Sequence, residues 1–214
     1  MEGFAKIISW LFLPLFTPIY ALIALLFLPS ENPYCFYFDC LYMLLDDSKM
    51  ALIYIFSIFL IIAPGFSFVI LYRFNITSTI EMDDKNERSF PILMMLMWSI
   101  MLYSILYSMI PNQFSKFILS FPFSGILVIA TFYFFNKWKK ISIHAAGAGI
   151  ATGFILAYTL LHPFYSIILL CVFVLMSGLV MSARLYLKKH STFEVVFGWL
   201  LGLFITFITV IIYP

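Results

Sequence analysis

The sequence predicts an all-α polytopic membrane protein. Of its 214 residues, 64% are hydrophobic, 20% are aromatic and 10% are charged, whereas a soluble domain carries about 25% charged residues. The mean hydropathy is +1.07. Apolar runs of membrane-spanning length recur along the chain, bounded by charges, Pro or Asn. Only helices and closed barrels satisfy the backbone polar groups in lipid, so these runs indicate transmembrane helices.

Seven apolar runs predict about seven transmembrane helices in a single transmembrane domain covering 1–214. The predicted runs are 7–28, 50–72, 92–110, 116–135, 145–161, 165–183 and 194–213. Pro14 and Pro18 interrupt the first run, which is typical of a broken or re-entrant segment. No small-x-small cleavage site follows this run, so we interpret it as a first span and not as a cleaved signal peptide.

The distribution of Lys and Arg predicts the orientation of the chain. With seven spans, one membrane side holds ten of these residues and the other holds two. The ten are Lys6, Arg73, Lys85, Arg88, Lys137, Lys139, Lys140, Arg184, Lys188 and Lys189, and the two are Lys49 and Lys116. The positive-inside rule then places the ten on the cytoplasmic side. The net charge of +2 gives no reason to expect a nucleic-acid partner.

Three loops on this predicted cytoplasmic side hold most of the polar residues of interest. The second loop contains DDKNERSFP (83–91), the fourth contains KWKKISIH (137–144), and the sixth with its flanks reads SARLYLKKHSTFE (182–194). Ionisable residues at the lip of a membrane span are candidates for a functional site.

The sixth loop contains a histidine and a carboxylate four residues apart. At the start of the last helix, His190 and Glu194 would share one face. A carboxylate that binds one imidazole nitrogen leaves the other nitrogen as a nucleophile or base. Arg184 can bind two oxygens of a phosphate or carboxylate. The simpler interpretation of this loop alone is a basic membrane lip with a solvated histidine.

The fourth loop leads into a helix that favours an anion at its start. Ser142 is a good N-cap for a helix that begins at Ile143, and His144 would stand in its first turn. The free N–H groups of a helix start favour an anion. The alternative for His144 is an interfacial histidine with no chemical role.

Small residues predict that two helices pack closely. They recur every four positions in two predicted helices, at Ala145, Gly149 and Gly153 and again at Gly198 and Gly202. Such spacing lets helix backbones approach each other in a membrane. We therefore expect the helices that carry His144 and His190 to pack together and to bring both imidazoles to one site.

The second loop adds two cations. Lys85 and Arg88 are three residues apart, which places them on one helical face. The alternative is a solvated run of charges, since Asp83, Asp84 and Glu87 are nearby.

The sixth loop resembles the third signature of the type 2 phosphatidic acid phosphatase (PAP2) superfamily. Arg184-x5-His190-x3-Glu194 is similar to Ser-Arg-x5-His-x3-Asp. The resemblance covers about 83–203 and implies a PAP2-like helical core there. It is closest to a divergent bacterial branch, which implies a bacterial inner (cytoplasmic) membrane.

The other two loops resemble the remaining signatures, in the same order along the chain. ISIH (141–144) is similar to Pro-Ser-Gly-His, with Ser142 and His144 in register. KNERSFP (85–91) loosely resembles Lys-x6-Arg-Pro.

This resemblance implies a phosphatase of membrane lipid phosphates that needs no metal and no cofactor. His190 would attack phosphorus and form a phosphohistidine, Glu194 would orient it, and His144 would protonate the leaving group. The phosphate oxygens would be held by Lys85, Arg88, Ser142 and Arg184, with the backbone N–H groups of Ser142 and Ile143. The substrate would be a polyprenyl or glycerolipid phosphate or pyrophosphate in the bilayer.

The altered first and second signatures favour a second class of function, since Ile141 and Ile143 stand where the family has Pro and Gly, and Pro91 does not directly follow Arg88. The third signature departs as well, because Glu194 stands where the family has Asp and Ala183 stands where it has Ser. The second interpretation is a catalytically silent lipid-binding or assembly subunit on the same scaffold. A third, a b-type haem protein with His144 and His190 as axial ligands, is disfavoured because both residues lie at a basic lip and not at mid-bilayer depth.

Two cysteines lie close together in an acidic loop on the side opposite the three polar loops. Cys35 and Cys40 would pair if this loop faces an oxidising space. The interpretation that we favour from the sequence alone is two unpaired thiols.

Overall fold

The computed structural model describes residues 2–28, 40–77, 86–113, 116–162 and 167–213, and within these ranges it contains helices and no strands. The α-helices are α1 (Glu2–Leu11), α2 (Thr17–Phe27), α3 (Asp46–Ser57), α4 (Ala63–Arg73), α5 (Ser89–Gln113), α6 (Ser120–Asn136), α7 (Ile143–Leu161), α8 (Ile167–Tyr186) and α9 (Thr192–Ile212). Six helical segments of the described chain are long and apolar enough to cross a membrane. The chain is an all-α integral membrane protein, as predicted.

The first apolar run is broken, which is why six long spans stand where seven runs were predicted. It forms two short helices, α1 and α2. Pro14 lies in the connection between them, and Pro18 lies in the first turn of α2, where a missing N–H costs nothing. The Tyr20 hydroxyl donates to the Leu11 carbonyl at 2.8 Å and holds the two helices together.

The second run forms one long span, Asp46–Arg73, with an irregular turn near its middle. Ile58–Ile62 is a π-helical turn between α3 and α4. Pro64 follows two residues after the end of this turn. Because proline lacks an N–H and its ring clashes with the preceding turn, the helix widens locally here.

The backbones of α7 and α9 touch at the predicted small residues. A Cβ atom added to a glycine of either helix would collide with backbone atoms of the other. This holds for Gly149, Gly153, Gly198 and Gly202. Added to Gly198, for example, it would lie 2.7 Å from the Ser142 carbonyl oxygen. The prediction that these two helices pack closely is confirmed.

The membrane face opposite the three polar loops contains a disulfide. Cys40 is disulfide-bonded and Cys171 is free, so the expectation of two unpaired thiols is wrong. Cys35 lies outside the described residues. Close to Cys40, the Leu41 N–H donates to the Tyr158 hydroxyl at 3.0 Å, which ties this part of the chain to the far end of α7.

Candidate functional site

The three polar loops meet at one end of the helix bundle. The Arg88 guanidinium Nη1 donates to the Ile141 carbonyl at 3.2 Å, joining the second loop to the fourth. The Ser142 N–H donates to the Glu194 carbonyl at 3.2 Å, joining the fourth loop to α9. The Lys139 ammonium lies 4.6 Å from the centre of the Phe193 ring. These contacts bring residues from distant parts of the sequence to one site.

His190 and Glu194 form a close pair at the start of α9. The imidazole Nδ1 lies 2.8 Å from the Glu194 Oε2. Only 2% of the His190 side-chain surface is exposed. An ionised carboxylate at this distance accepts the Nδ1–H, which leaves the lone pair on Nε2. The pair has the geometry of a nucleophile or base with its orienting carboxylate.

The local sequence explains why Glu194 stands here. Ser191 and Glu194 form a capping box, in which the Glu194 N–H donates to the Ser191 hydroxyl and the Ser191 N–H donates to the Glu194 carboxylate, both at 3.4 Å. Such a box satisfies two backbone donors that a helix start leaves free. Glu194 therefore begins α9 and binds His190 with the same carboxylate oxygen.

His190 is neutral at physiological pH. Burial lowers the pKa of His190 from its usual 6.5 to about 4. The hydrogen bond to Glu194 opposes this shift, and the positive charges of Arg88 and Arg184 add to it.

The two arginines make the site suitable for an anion. Arg88 is 4% exposed and Arg184 is 5% exposed, and both act electrostatically on His190. Together with Glu194 they give these side chains a net charge of +1 while the imidazoles are neutral. A phosphate dianion bound here would gain charge-assisted hydrogen bonds at low dielectric.

Ser142 caps α7 as predicted, but its backbone has a different role from the expected one. Its hydroxyl is buried and accepts the Ala145 N–H at 3.4 Å. Its own N–H donates to the Glu194 carbonyl, so the expectation that this N–H holds a phosphate oxygen is wrong. Ser142 instead fixes the first turn of α7 against α9.

His144 lies within electrostatic reach of Arg88, Arg184 and His190. The two imidazoles therefore share one site. The His144 ring is also hydrogen-bonded to the backbone of Ser9, which belongs to α1.

The contribution of α1 was missed by sequence reasoning. Ser9 is 6% exposed, and its hydroxyl has no hydrogen-bond partner among the described residues. Its helix packs on α8 through Ala5 and Ile8, which join the cluster that contains Ala183. A lone serine in an otherwise apolar stretch, IISWLF, was the signal that pointed to it.

Six of the seven predicted site residues are described, and the structure brings them together. They are Arg88, Ser142, His144, Arg184, His190 and Glu194. Lys85 lies outside the described residues. Within the described ranges, no group of three or more His, Cys, Asp or Glu could hold a metal ion.

No family model matches this chain, and no curated protein or solved structure matches it.

Proposed function

We propose that this protein is a metal-independent phosphatase of membrane lipid phosphates that works through a phosphohistidine. The observation that carries the proposal is the His190–Glu194 pair at 2.8 Å beside two buried guanidinium groups. The order and spacing of the residues that resemble the PAP2 signatures support it.

In the first step, the His190 Nε2 attacks phosphorus. The P–N bond forms as the P–O bond to the lipid breaks, and Glu194 stabilises the positive charge on the imidazole. His144 gives its proton to the leaving alkoxide. This step requires that His144 is protonated when the lipid phosphate is bound.

In the second step, water cleaves the phosphohistidine. His144, now neutral, takes a proton from water as the water oxygen attacks phosphorus. The P–N bond breaks and inorganic phosphate leaves. In both steps Arg88 and Arg184 stabilise the charge that develops on the phosphate oxygens.

The proposed orientation places this site at the cytoplasmic face of a bacterial inner membrane. The excess of Lys and Arg on that side supports it. The disulfide at Cys40 supports it independently, because disulfides persist in oxidising spaces and Cys40 lies toward the opposite face.

Phosphate release from purified protein tests the function. We expect release from a panel of lipid phosphates without added metal, persisting in EDTA and lost in His190→Ala. His162→Ala is the matched control, since His162 ends α7 at the opposite face and should leave the rate unchanged. Loss of release in EDTA, or full activity in His190→Ala, contradicts the proposal.

A second candidate is a lipid-binding or assembly subunit without turnover. Ala183 beside Arg184, and the Ser142 N–H directed to Glu194, favour it because each removes a donor expected for phosphate. Folded protein that binds lipid phosphates but releases no phosphate would support this candidate.

A further inference from the structure

An apolar cavity of about 80 Å³ lies inside the bundle beside the site. It is lined by α6 and α7, by the first turns of α2, α4 and α5, by the π-helical turn and by the connection before α2. Its lining is apolar apart from Ser99, whose hydroxyl donates to the Met95 carbonyl at 2.9 Å and is satisfied within α5. A cavity of this kind disfavours water and suits a hydrocarbon.

Two residues that line the cavity adjoin the site along the chain. Ile143, which lines it, stands between Ser142 and His144, and Ile92, which also lines it, stands one turn after Arg88. From Ile92 the lining continues down α5 to Ser99, which is roughly 10 Å along a helix at 1.5 Å per residue. A chain attached to a phosphate at the site would therefore extend into the cavity toward the middle of the membrane.

Gly125 lines the cavity on α6, well below the site. It precedes Phe132, another lining residue nearer the site, by seven residues, or roughly 10 Å of helix. A Cβ added to Gly125 would meet nothing within 4 Å. This contrasts with Gly149 and Gly202, where an added Cβ collides with backbone. A larger side chain at position 125 would thus fill the cavity without moving a helix.

We propose that this cavity takes one hydrocarbon chain of a lipid phosphate bound at His190, and that the free space above Gly125 sets the chain length that is accepted. The inference rests on the proposed function for the position of the headgroup. It adds a specificity-determining residue that does not touch the phosphate.

Chain-length selectivity tests the role of Gly125. Phosphate release is measured in detergent with single-chain substrates from butyl to hexadecyl phosphate. For the wild-type protein, kcat/KM should rise with chain length and then level off. In Gly125→Leu, the ratio of kcat/KM for hexadecyl over butyl phosphate should fall about tenfold, the loss expected when about two methylenes no longer find buried space.

Gly178→Leu is the matched control. Gly178 lies on α8, does not line the cavity, and also has nothing within 4 Å of an added Cβ. It should keep the wild-type ratio. A Gly125→Leu profile identical to wild type, or an equal change in Gly178→Leu, overturns the inference and leaves the proposed function intact.

Photo-labelling of the wild-type protein tests the cavity without turnover. Hexadecyl phosphate with a diazirine in its chain should label peptides that contain Met95, Ser99 or Gly125. Labelling confined to the outer surface of α8, such as Leu175, overturns the inference even if Gly125→Leu does not fold. Cavity labelling in a protein that releases no phosphate supports the inference and rejects the phosphatase.

Discussion

The protonation of His190 is governed by opposing effects of its surroundings. Glu194 favours its protonated form, while burial and the charges of Arg88 and Arg184 favour its neutral form. The neutral form prevails at physiological pH, while Glu194 stays bonded to Nδ1. In the proposed reaction Glu194 would stabilise the imidazolium that forms when Nε2 bonds to phosphorus. This balance suits a nucleophile that must be neutral before the reaction and positive after it.

The pH dependence of phosphate release should reflect this balance. Because only neutral His190 can attack, kcat/KM should fall as pH drops through about 4 and not through the usual 6.5. A pH–rate profile with a stable substrate measures this acidic limb. Arg88→Gln removes one opposing charge and should move the limb to higher pH. If kcat/KM of the wild-type protein instead fell through pH 6.5, burial and the two arginines would not lower the pKa of His190 as described.

Removing the charge of Glu194 should slow the reaction. Glu194→Gln keeps a side-chain oxygen for the capping box but loses the carboxylate that stabilises the imidazolium. We expect kcat to fall on the order of 10²–10⁴-fold, as when an orienting carboxylate of a catalytic histidine is neutralised. Single-turnover kinetics measure this loss. Thermal unfolding of the variant is the control that helix α9 is still formed. Wild-type kcat would exclude Glu194 from the chemistry.

Ser9 should matter to phosphate release more than to stability. Its buried hydroxyl has no partner among the described residues, so Ser9→Ala removes an unsatisfied group and should not lower the free energy of unfolding. If the hydroxyl donates to bound phosphate, kcat/KM should fall roughly tenfold, as for one hydrogen bond to a charged group. Paired kinetic and thermal measurements separate the two effects. A destabilised variant with normal kinetics would assign Ser9 a packing role.

At the scale of the element, the C-terminal end of α8 determines where the chain turns before His190. The Lys189 N–H donates to the Arg184 carbonyl and the Lys188 N–H to the Leu185 carbonyl, which together form a Schellman motif. Lys188 has a φ of 52°, in the left-handed region that favours glycine. The same motif ends α4 at Asn75, with a φ of 55°. The turn after α8 thus reverses the chain two residues before His190.

Glycine at position 188 should stabilise the protein. A non-glycine residue in the left-handed region costs about 1 kcal/mol, so Lys188→Gly should raise the unfolding temperature. Asn75→Gly is the matched control and should change it less, because asparagine tolerates this conformation. Thermal unfolding in detergent measures both. A lower unfolding temperature for Lys188→Gly would contradict this prediction. It would show that contacts of the Lys188 side chain stabilise the protein more than its backbone conformation destabilises it.

At the scale of the whole molecule, the site depends on the contact between α7 and α9. Gly202→Ala would force its new methyl group against the Ala146 carbonyl and separate the helices. We expect a loss of about 1–3 kcal/mol in the free energy of unfolding and a loss of phosphate release, since His144 and His190 move apart. Gly178→Ala, where space is open, is the control. Unchanged stability in Gly202→Ala would contradict the close packing.

The features that could be predicted from the sequence are those that depend on local residue types or on a regular spacing. Run length gave the long helices, Pro14 and Pro18 gave the break in the first run, and the four-residue spacing gave the His190–Glu194 pair. It missed contacts between distant segments that no spacing encodes. The Ser9 backbone reaches His144 from the other end of the chain, and the Ser142 N–H is directed to Glu194 by the docking of α9.

The positions of the site residues along the chain also determine the order in which they are synthesised. Ser9 emerges from the ribosome before His144, and His190 and Glu194 follow only with the start of α9, the last helix described. A nascent chain that has inserted only its earlier helices lacks the His190–Glu194 pair and the close α7–α9 contact. The proposed site can therefore form only once α9 has left the insertion machinery and docked.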